Sequence, residues 1–152
     1  MQRSTSLSVA SLAITAVLLA GACSSSSSTS SPAASGSATG GNTITIGSDT
    51  ANDHGTKDAT GKSTFEIDER NDNGFYFDPT ILTGSAGQSL TIDIKNEGTA
   101  PHNFSIDSLG VNVTLQPGTS QSVKVTFPPS GTTEFFCSFH RSLGMVGGLQ
   151  VA

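Results

Sequence analysis

Hydrophobic and polar residues alternate with period two over much of the chain from Ser63 onward. The clearest run places Leu90, Ile92 and Ile94 between Thr91, Asp93 and Lys95. This alternation indicates strands with one buried face. The same pattern recurs at Phe65/Ile67, Phe75/Phe77, Phe104/Ile106, Val111/Val113/Leu115, Val123/Val125/Phe127, Phe135/Cys137 and Leu149/Val151.

Turn signals separate these runs, among them Asn73-Gly74, Gln116-Pro117-Gly118 and the Pro128–Gly131 segment. No helical period follows the first 22 residues. Seven or eight short strands at this spacing predict an all-β domain over residues 63–152, a Greek-key β-sandwich or barrel.

The first 62 residues have a different composition. Residues 1–22 carry Arg3 and then an apolar run, which predicts a secretory signal peptide rather than a membrane-spanning helix. The run ends in small residues before Cys23 and resembles the lipobox of bacterial lipoproteins, which implies lipidation of Cys23. Residues 23–42 are rich in Ser and Gly, as in a flexible tether. Residues 43–62 are interpreted as a polar extension, in which His54 is a solvated loop histidine.

The charge balance limits the classes of partner that the protein is expected to bind. Seven Lys and Arg face 12 Asp and Glu, giving a formal net charge of −5. Nucleic acid is not expected as a partner, because it requires clustered basic residues. Glu66, Asp68, Glu69 and Asp72 form an acidic cluster that is typical of a solvated face, with a steering patch for a basic partner as the alternative.

Three candidate metal ligands lie on one short segment. Cys137, His140 and Met145 form a C-x2-H-x4-M pattern that offers a thiolate, an imidazole and a thioether. A thiolate with two imidazoles and a weak thioether is typical of an electron-transfer copper site. The second imidazole is expected from His102, upstream in the chain. If Cys23 is lipidated, Cys137 is the remaining cysteine, and a metal would protect it from oxidation.

Strand parity supports this set, because His102 shares the inward parity of Phe104 and Ile106, and Cys137 that of Phe135. Zinc is the competing metal, but the thioether disfavours it. A second cysteine, as in a binuclear copper centre, is absent from the loop.

The ligand loop and the Pro101-His102-Asn103 motif resemble those of the blue copper proteins (cupredoxins), with the plastocyanin and pseudoazurin loop length. The resemblance covers roughly residues 63–152. It implies one copper ion held by His102, Cys137, His140 and Met145. One departure is Phe139, where the family often has proline.

The resemblance also implies supporting roles. Asn103 is expected to steady the Cys137 sulfur by a hydrogen bond, and Phe136 stands where plastocyanins often have Tyr. Pro101 would fix the backbone before His102, and Gly144 would let the loop turn. The edge of His140 is expected at the surface, where a redox protein partner would dock.

These observations predict a type 1 copper protein that transfers electrons and is not an enzyme. We expect a monomer in the bacterial cell envelope, lipid-anchored through Cys23 on the outer side of the plasma membrane. The first alternative is copper trafficking, buffering or delivery with the same ligands. A second is a redox-inert domain for adhesion or assembly.

Overall fold

The protein is described by a computed structural model that covers residues 41–152, and every structural statement below concerns that range. The predicted signal, Cys23 and nearly all of the predicted tether lie outside it. Within the range, twelve short strands and two single 3₁₀ turns follow one another. No helix among these residues is long and apolar enough to cross a bilayer.

The strands are numbered in chain order. Their bounds are β1 Thr43–Ile46, β2 Asp49–Asn52, β3 Thr56–Asp58, β4 Thr64–Arg70, β5 Tyr76–Asp78, β6 Ile81–Gly84, β7 Ser89–Asn96, β8 His102–Ile106, β9 Val111–Leu115, β10 Ser120–Thr126, β11 Thr132–Phe136 and β12 Val146–Val151. The 3₁₀ turns span Asp107–Leu109 and Arg141–Leu143.

The strands form two main sheets and one separate hairpin. One sheet has the order β10-β7-β4-β5, and the other has the order β3-β6-β12-β11-β8-β9. Both are mixed, since β4 runs parallel to β7 and β12 runs parallel to β6. The fold is the predicted all-β sandwich. In the larger sheet β8 and β11 are neighbours, which brings the predicted ligands of both strands to one region.

The core follows the predicted alternation. Leu90, Ile92 and Ile94 of β7 are buried, as the period-two pattern requires. Phe77 of the smaller sheet packs edge-on against Phe104 and Phe135 of the larger one, with ring centroids 5.8 and 5.0 Å apart. Such edge-to-face pairs add to the free energy gained by burying the rings, so these contacts hold the two sheets together.

Residues 43–62 differ from the polar extension expected from the sequence. β1 and β2 pair as an antiparallel hairpin, and β3 joins the larger sheet parallel to β6. Ala51 and Ala59 are completely buried. The sequence gives a weak signal here because β3 is an exposed edge strand, held through its backbone rather than by hydrophobic side chains.

The environment of Tyr76 and His54 also differs from the expectation. Tyr76 lies between Phe75 and Phe77 in the alternating run, on the opposite parity, yet only 4% of it is exposed. The ring of His54 covers it, with centroids 3.3 Å apart. The Tyr76 hydroxyl donates a hydrogen bond to Asp72 at 2.7 Å. His54 is therefore a half-buried packing residue.

Glu69 does not belong to a solvated acidic face, so that interpretation was wrong for this residue. It is completely buried in β4, and neither carboxyl oxygen has a hydrogen-bond partner in the part of the chain that the structure describes. Burial raises the pKa of Glu69 to about 8. The carboxyl group is therefore mainly protonated at neutral pH, because an unpaired buried charge would be far more costly.

We predict that Glu69→Gln stabilises the metal-free protein at neutral pH. Because the pKa of Glu69 is raised on folding, its favourable contribution is complete below the unfolded pKa of 4.5 and is lost as pH rises through 8. Glutamine has a similar shape and no such loss. The expected gain is about 3 kcal/mol at pH 7 and close to zero at pH 4.

Denaturant unfolding of the metal-free protein at both pH values measures this difference. Glu66→Gln, which alters an exposed carboxylate of the same strand, is the matched control. An equal effect of Glu69→Gln at pH 4 and pH 7 would contradict the assignment of a buried, protonated carboxyl group.

Candidate metal centre

Three potential ligand atoms converge at one end of the larger sheet. They belong to His102, Cys137 and His140, and all lie within 4.8 Å of one another. His102 is the first residue of β8, Cys137 directly follows β11, and His140 immediately precedes the Arg141–Leu143 turn. The Cys137 Sγ and His140 Nδ1 atoms are 3.4 Å apart. The structure thus brings together the three predicted nitrogen and thiolate ligands.

Strand pairing explains this convergence. Ser105 of β8 pairs with Phe136 of β11 in the antiparallel register, which places the start of β8 beside the residue after β11. The backbone N–H of Asn103 donates a hydrogen bond to the Cys137 sulfur at 3.3 Å. This is the hydrogen bond expected from the residue after His102, and a backbone group supplies it.

The side chain of His102 lacks, in the described part of the chain, the hydrogen-bond partners that a buried imidazole normally has. The residue is completely buried, and neither ring nitrogen has a hydrogen-bond partner among the described residues. Buried polar atoms without partners are rare and often mark the site of an ion. Burial, and then the nearby His140, lowers the pKa of His102 to about 4. The imidazole is therefore neutral, which is the form that binds a metal.

Cys137 is a free thiol without exposed surface. Burial raises the pKa of its thiol, although hydrogen bonds from backbone N–H groups, that of Asn103 first, act in the opposite direction. A bound cation would displace the proton, because metals bind the thiolate. The backbone N–H groups already directed at the sulfur would then stabilise its negative charge.

The loop after Cys137 is held by its own backbone. The Cys137 N–H donates to the Met145 carbonyl at 3.0 Å, and the Met145 N–H donates to the His140 carbonyl at 3.2 Å. Gly144 has a φ of 90°, a conformation that favours glycine, so it turns the chain as predicted. Met145 is completely buried and packs in the main core.

The side chain of Asn103 clamps β8 to the ligand loop. Its Oδ1 accepts hydrogen bonds from the Ser138 backbone N–H and hydroxyl, at 3.2 and 2.9 Å. Its Nδ2 donates to Asn112 of β9 at 2.7 Å. Asn103 therefore contacts the loop through its side chain and the sulfur through its backbone, so its identity and its position both contribute.

His140 lies at the boundary between the centre and solvent. It is half-buried, and Phe75 stacks on its ring with centroids 3.9 Å apart. Burial lowers the pKa of His140. Phe139, the preceding residue, is 53% exposed, and Leu143, three residues further along the loop, is 55% exposed. An imidazole framed by exposed apolar side chains is therefore present where the sequence predicts it.

Pro101 and Phe136, two further predicted supporting residues, are chain neighbours of the ligands His102 and Cys137. Pro101 is exposed and immediately precedes His102. Phe136 is half-buried and lies under the Arg141 guanidinium, 4.1 Å from its ring centroid. That contact is a cation–π interaction.

Sequence reasoning did not identify Gly98 as part of this region. A Cβ at Gly98 would lie 2.9 Å from His102 Nε2 and 2.1 Å from Asn71 Oδ1, so a larger residue would displace the imidazole. In the sequence, Gly98 stands in an Asn96-Glu97-Gly98 segment that is typical of a turn and gives no sign of a nearby ligand. The contact of Phe75 with His140 was also missed, because alternation gives no information on distant contacts.

The donor set fits a copper ion. It combines one thiolate with two neutral imidazoles, and within residues 41–152 the buried His102 nitrogens have no hydrogen-bond partner. This mixture of soft and borderline ligands suits copper.

Comparisons with known proteins agree with this chemistry. The family model described as Cupredoxin-like domain matches residues 13–149. Plastocyanin A/B of Petroselinum crispum is 34% identical over 90 residues, 53% of this chain and 91% of that protein. Chloroplastic plastocyanin of Pisum sativum is 36% identical over 94 residues, 53% of this chain and 54% of that protein, so the match spans about half its length.

Solved structures share the fold. A heme-copper terminal oxidase dimer contains a chain that superposes with a TM-score of 0.50 at 22% identity, covering 60% of this chain and 66% of that one. At this identity the likeness concerns the fold alone.

Proposed function

The chain belongs to the cupredoxin-like family, and we propose that it is a membrane-tethered type 1 copper protein that carries one electron at a time. The proposed ligands are His102, Cys137, His140 and Met145. The observation that carries the proposal is the convergence of donor atoms from His102, Cys137 and His140, together with His102 ring nitrogens that have no hydrogen-bond partner among residues 41–152. Copper is the cofactor of this family and supplies the one-electron chemistry.

The protein's contribution is to hold the ligands before and after electron transfer. Electron transfer is fast when the geometry around the metal changes little between its two oxidation states, and a His2Cys site with a weak axial ligand is a compromise between them. β8 and β11 fix His102 and Cys137, and the closed hydrogen-bonded loop fixes His140. Burial of Cys137 and Met145 keeps water away from the sulfur ligands.

We expect the copper-loaded, oxidised protein to absorb strongly at about 600 nm, from charge transfer between the Cys137 sulfur and the metal. Cys137→Ser should remove the band, because serine offers no soft ligand. Met145→Leu should keep both band and copper while raising the reduction potential, because a weak donor is lost.

Visible spectra and redox titrations of the three proteins test the ligand set. A wild-type spectrum without the band would contradict the proposed site. Loss of copper binding in Met145→Leu would show instead that Met145 has a structural role.

We propose that a redox partner docks on the surface formed by Phe139, His140 and Leu143. The His140 Nδ1 atom is 3.4 Å from the Cys137 sulfur, and the same loop exposes the side chains of Phe139 and Leu143, so the half-buried His140 ring offers a short route for the electron. A small apolar surface suits the brief encounters of electron-transfer proteins, whose interfaces are at the low end of the size range. The protein is expected to be a monomer. Two copies should meet through the same surface when an oxidised and a reduced copy exchange an electron.

Leu143→Lys should slow self-exchange between oxidised and reduced copies about tenfold, which corresponds to about 1.4 kcal/mol of encounter free energy. The lysines repel each other in the encounter, whereas the 600 nm band should not change. Nuclear magnetic resonance line broadening measures the rate, and Lys124→Ala on β10 is the control. An unchanged self-exchange rate in Leu143→Lys would show that docking occurs elsewhere. Slow self-exchange in the wild type, combined with ready release of Cu(I), would favour copper trafficking.

Attachment to the outer side of the plasma membrane is proposed from the sequence. The small residues before Cys23 support lipidation, and the Ser/Gly-rich segment supports a tether. Cys23→Ser should transfer the protein from the membrane fraction to the soluble fraction, because the lipid attachment point is lost. Immunoblots of the two fractions provide the measurement. Retention of the variant in the membrane fraction would contradict lipid anchoring, and Ser24→Ala is the control.

A further inference from the structure

The β1–β2 hairpin packs against the loop that carries His140 and Met145. Ile46 and Ala51 of the hairpin are buried together with Ile81 and Val146 in a small second core. Val146 directly follows Met145, so this core lies at the end of the ligand loop. The hairpin therefore belongs to the surroundings of the metal centre, although it precedes the segment in which the sequence predicts the copper domain.

Asn52, the last residue of the hairpin, makes polar contacts with the loop through two groups. Its backbone N–H donates to the Gly144 carbonyl at 2.9 Å. Its side-chain Nδ2 donates to the Leu143 carbonyl at 2.9 Å and to the Phe75 carbonyl at 2.8 Å. Both acceptors of Nδ2 are carbonyls, so the NH2 group must face them. Asn52 thus uses both amide hydrogens and its backbone N–H.

The Asn52 hydrogen bonds fix the distance between the backbone of Phe75 and the turn that follows His140. Phe75 carries the ring that stacks on His140, and Leu143 belongs to the turn that follows His140. One amide group joins both backbones, so it holds the Phe75 ring against the imidazole. Gly144 fits under this amide only because it lacks a Cβ, which would lie 2.7 Å from Asn52 Nδ2.

A second contact between hairpin and loop is weaker. The Arg141 Nε atom donates to Asp49 at 2.7 Å, and Arg141 also pairs with Glu134. The Arg141 side chain is 39% exposed. Exposed ion pairs usually contribute little to stability, so among the polar contacts between the hairpin and the loop those of Asn52 are expected to matter most.

We propose that Asn52 is a positioning residue of the metal centre, which fixes the His140–Met145 loop in its closed form before a metal binds. The inference rests on the proposed copper function. The Asn52 hydrogen bonds run between protein groups and use no ligand atom, so they can order the loop before a metal binds and without a cost in binding free energy. Loss of a hydrogen bond to a metal ligand typically weakens metal binding 10–100-fold. Asn52 acts on the backbone of the ligand loop instead, so the low end of that range is expected.

The test uses the full-length protein and two variants. Asn52→Ala removes both side-chain hydrogen bonds, and Asn52→Asp keeps the shape but places acceptors against two carbonyls. Both should weaken copper binding by about tenfold or more, measured by competition with a chelator, and both should change the reduction potential. Thr50→Ala, at an exposed position of the same strand, should change neither.

A measurement on the wild type needs no variant to fold. Hydrogen exchange of the Asn52 backbone N–H should be slow in the metal-free protein as well as in the copper-loaded one, because its hydrogen bond to the Gly144 carbonyl involves no metal ligand atom. Fast exchange in the metal-free protein would overturn the proposal. So would Asn52 variants with lowered thermal stability but wild-type copper affinity and potential. Failure of the wild type to form a blue site would instead contradict the copper function.

Discussion

The hydrogen bond from the Asn103 backbone to the Cys137 sulfur joins the two parts of the chain on which the centre depends. It exists because β8 and β11 are adjacent in the larger sheet, which brings His102 and Cys137 together over 34 intervening positions of chain. The contacts of Phe77 with Phe104 and Phe135 hold the two sheets against each other. Packing of the sandwich core is therefore a condition for the geometry of the site.

Burial determines the chemistry of the three donors. Without a metal, it keeps His102 neutral, raises the pKa of the Cys137 thiol and leaves both His102 nitrogens without hydrogen-bond partners. Such a site is unfavourable for the metal-free protein, and a cation relieves both problems. The same burial protects the sulfur ligands from water, while half-buried His140 keeps contact with the surface. The buried ligands thus enclose the centre, whereas His140 connects it to the surface.

Much of the fold and the donor set could be predicted from the sequence, because both leave regular signals. Alternation in β7 identifies a buried face, and the spacing of Cys137, His140 and Met145 identifies a loop. The β1–β3 region could not be predicted well, since it is polar and β3 is held by backbone pairing. Tyr76 is buried because the ring of His54 covers it. Glu69 shares the inward parity of Ile67 in β4, so the alternation predicts its burial although its charge suggests a solvated position. Contacts between distant segments, such as Asn52 with Leu143, leave no local pattern.

The central claim is that the thiolate and two imidazoles bind the same copper ion. X-ray absorption at the copper edge of the loaded protein tests it most directly, because it reports which atoms surround the metal. The account predicts one sulfur at short distance and two imidazole nitrogens in the oxidised protein. A first shell of nitrogen and oxygen atoms without a short sulfur contact would contradict it.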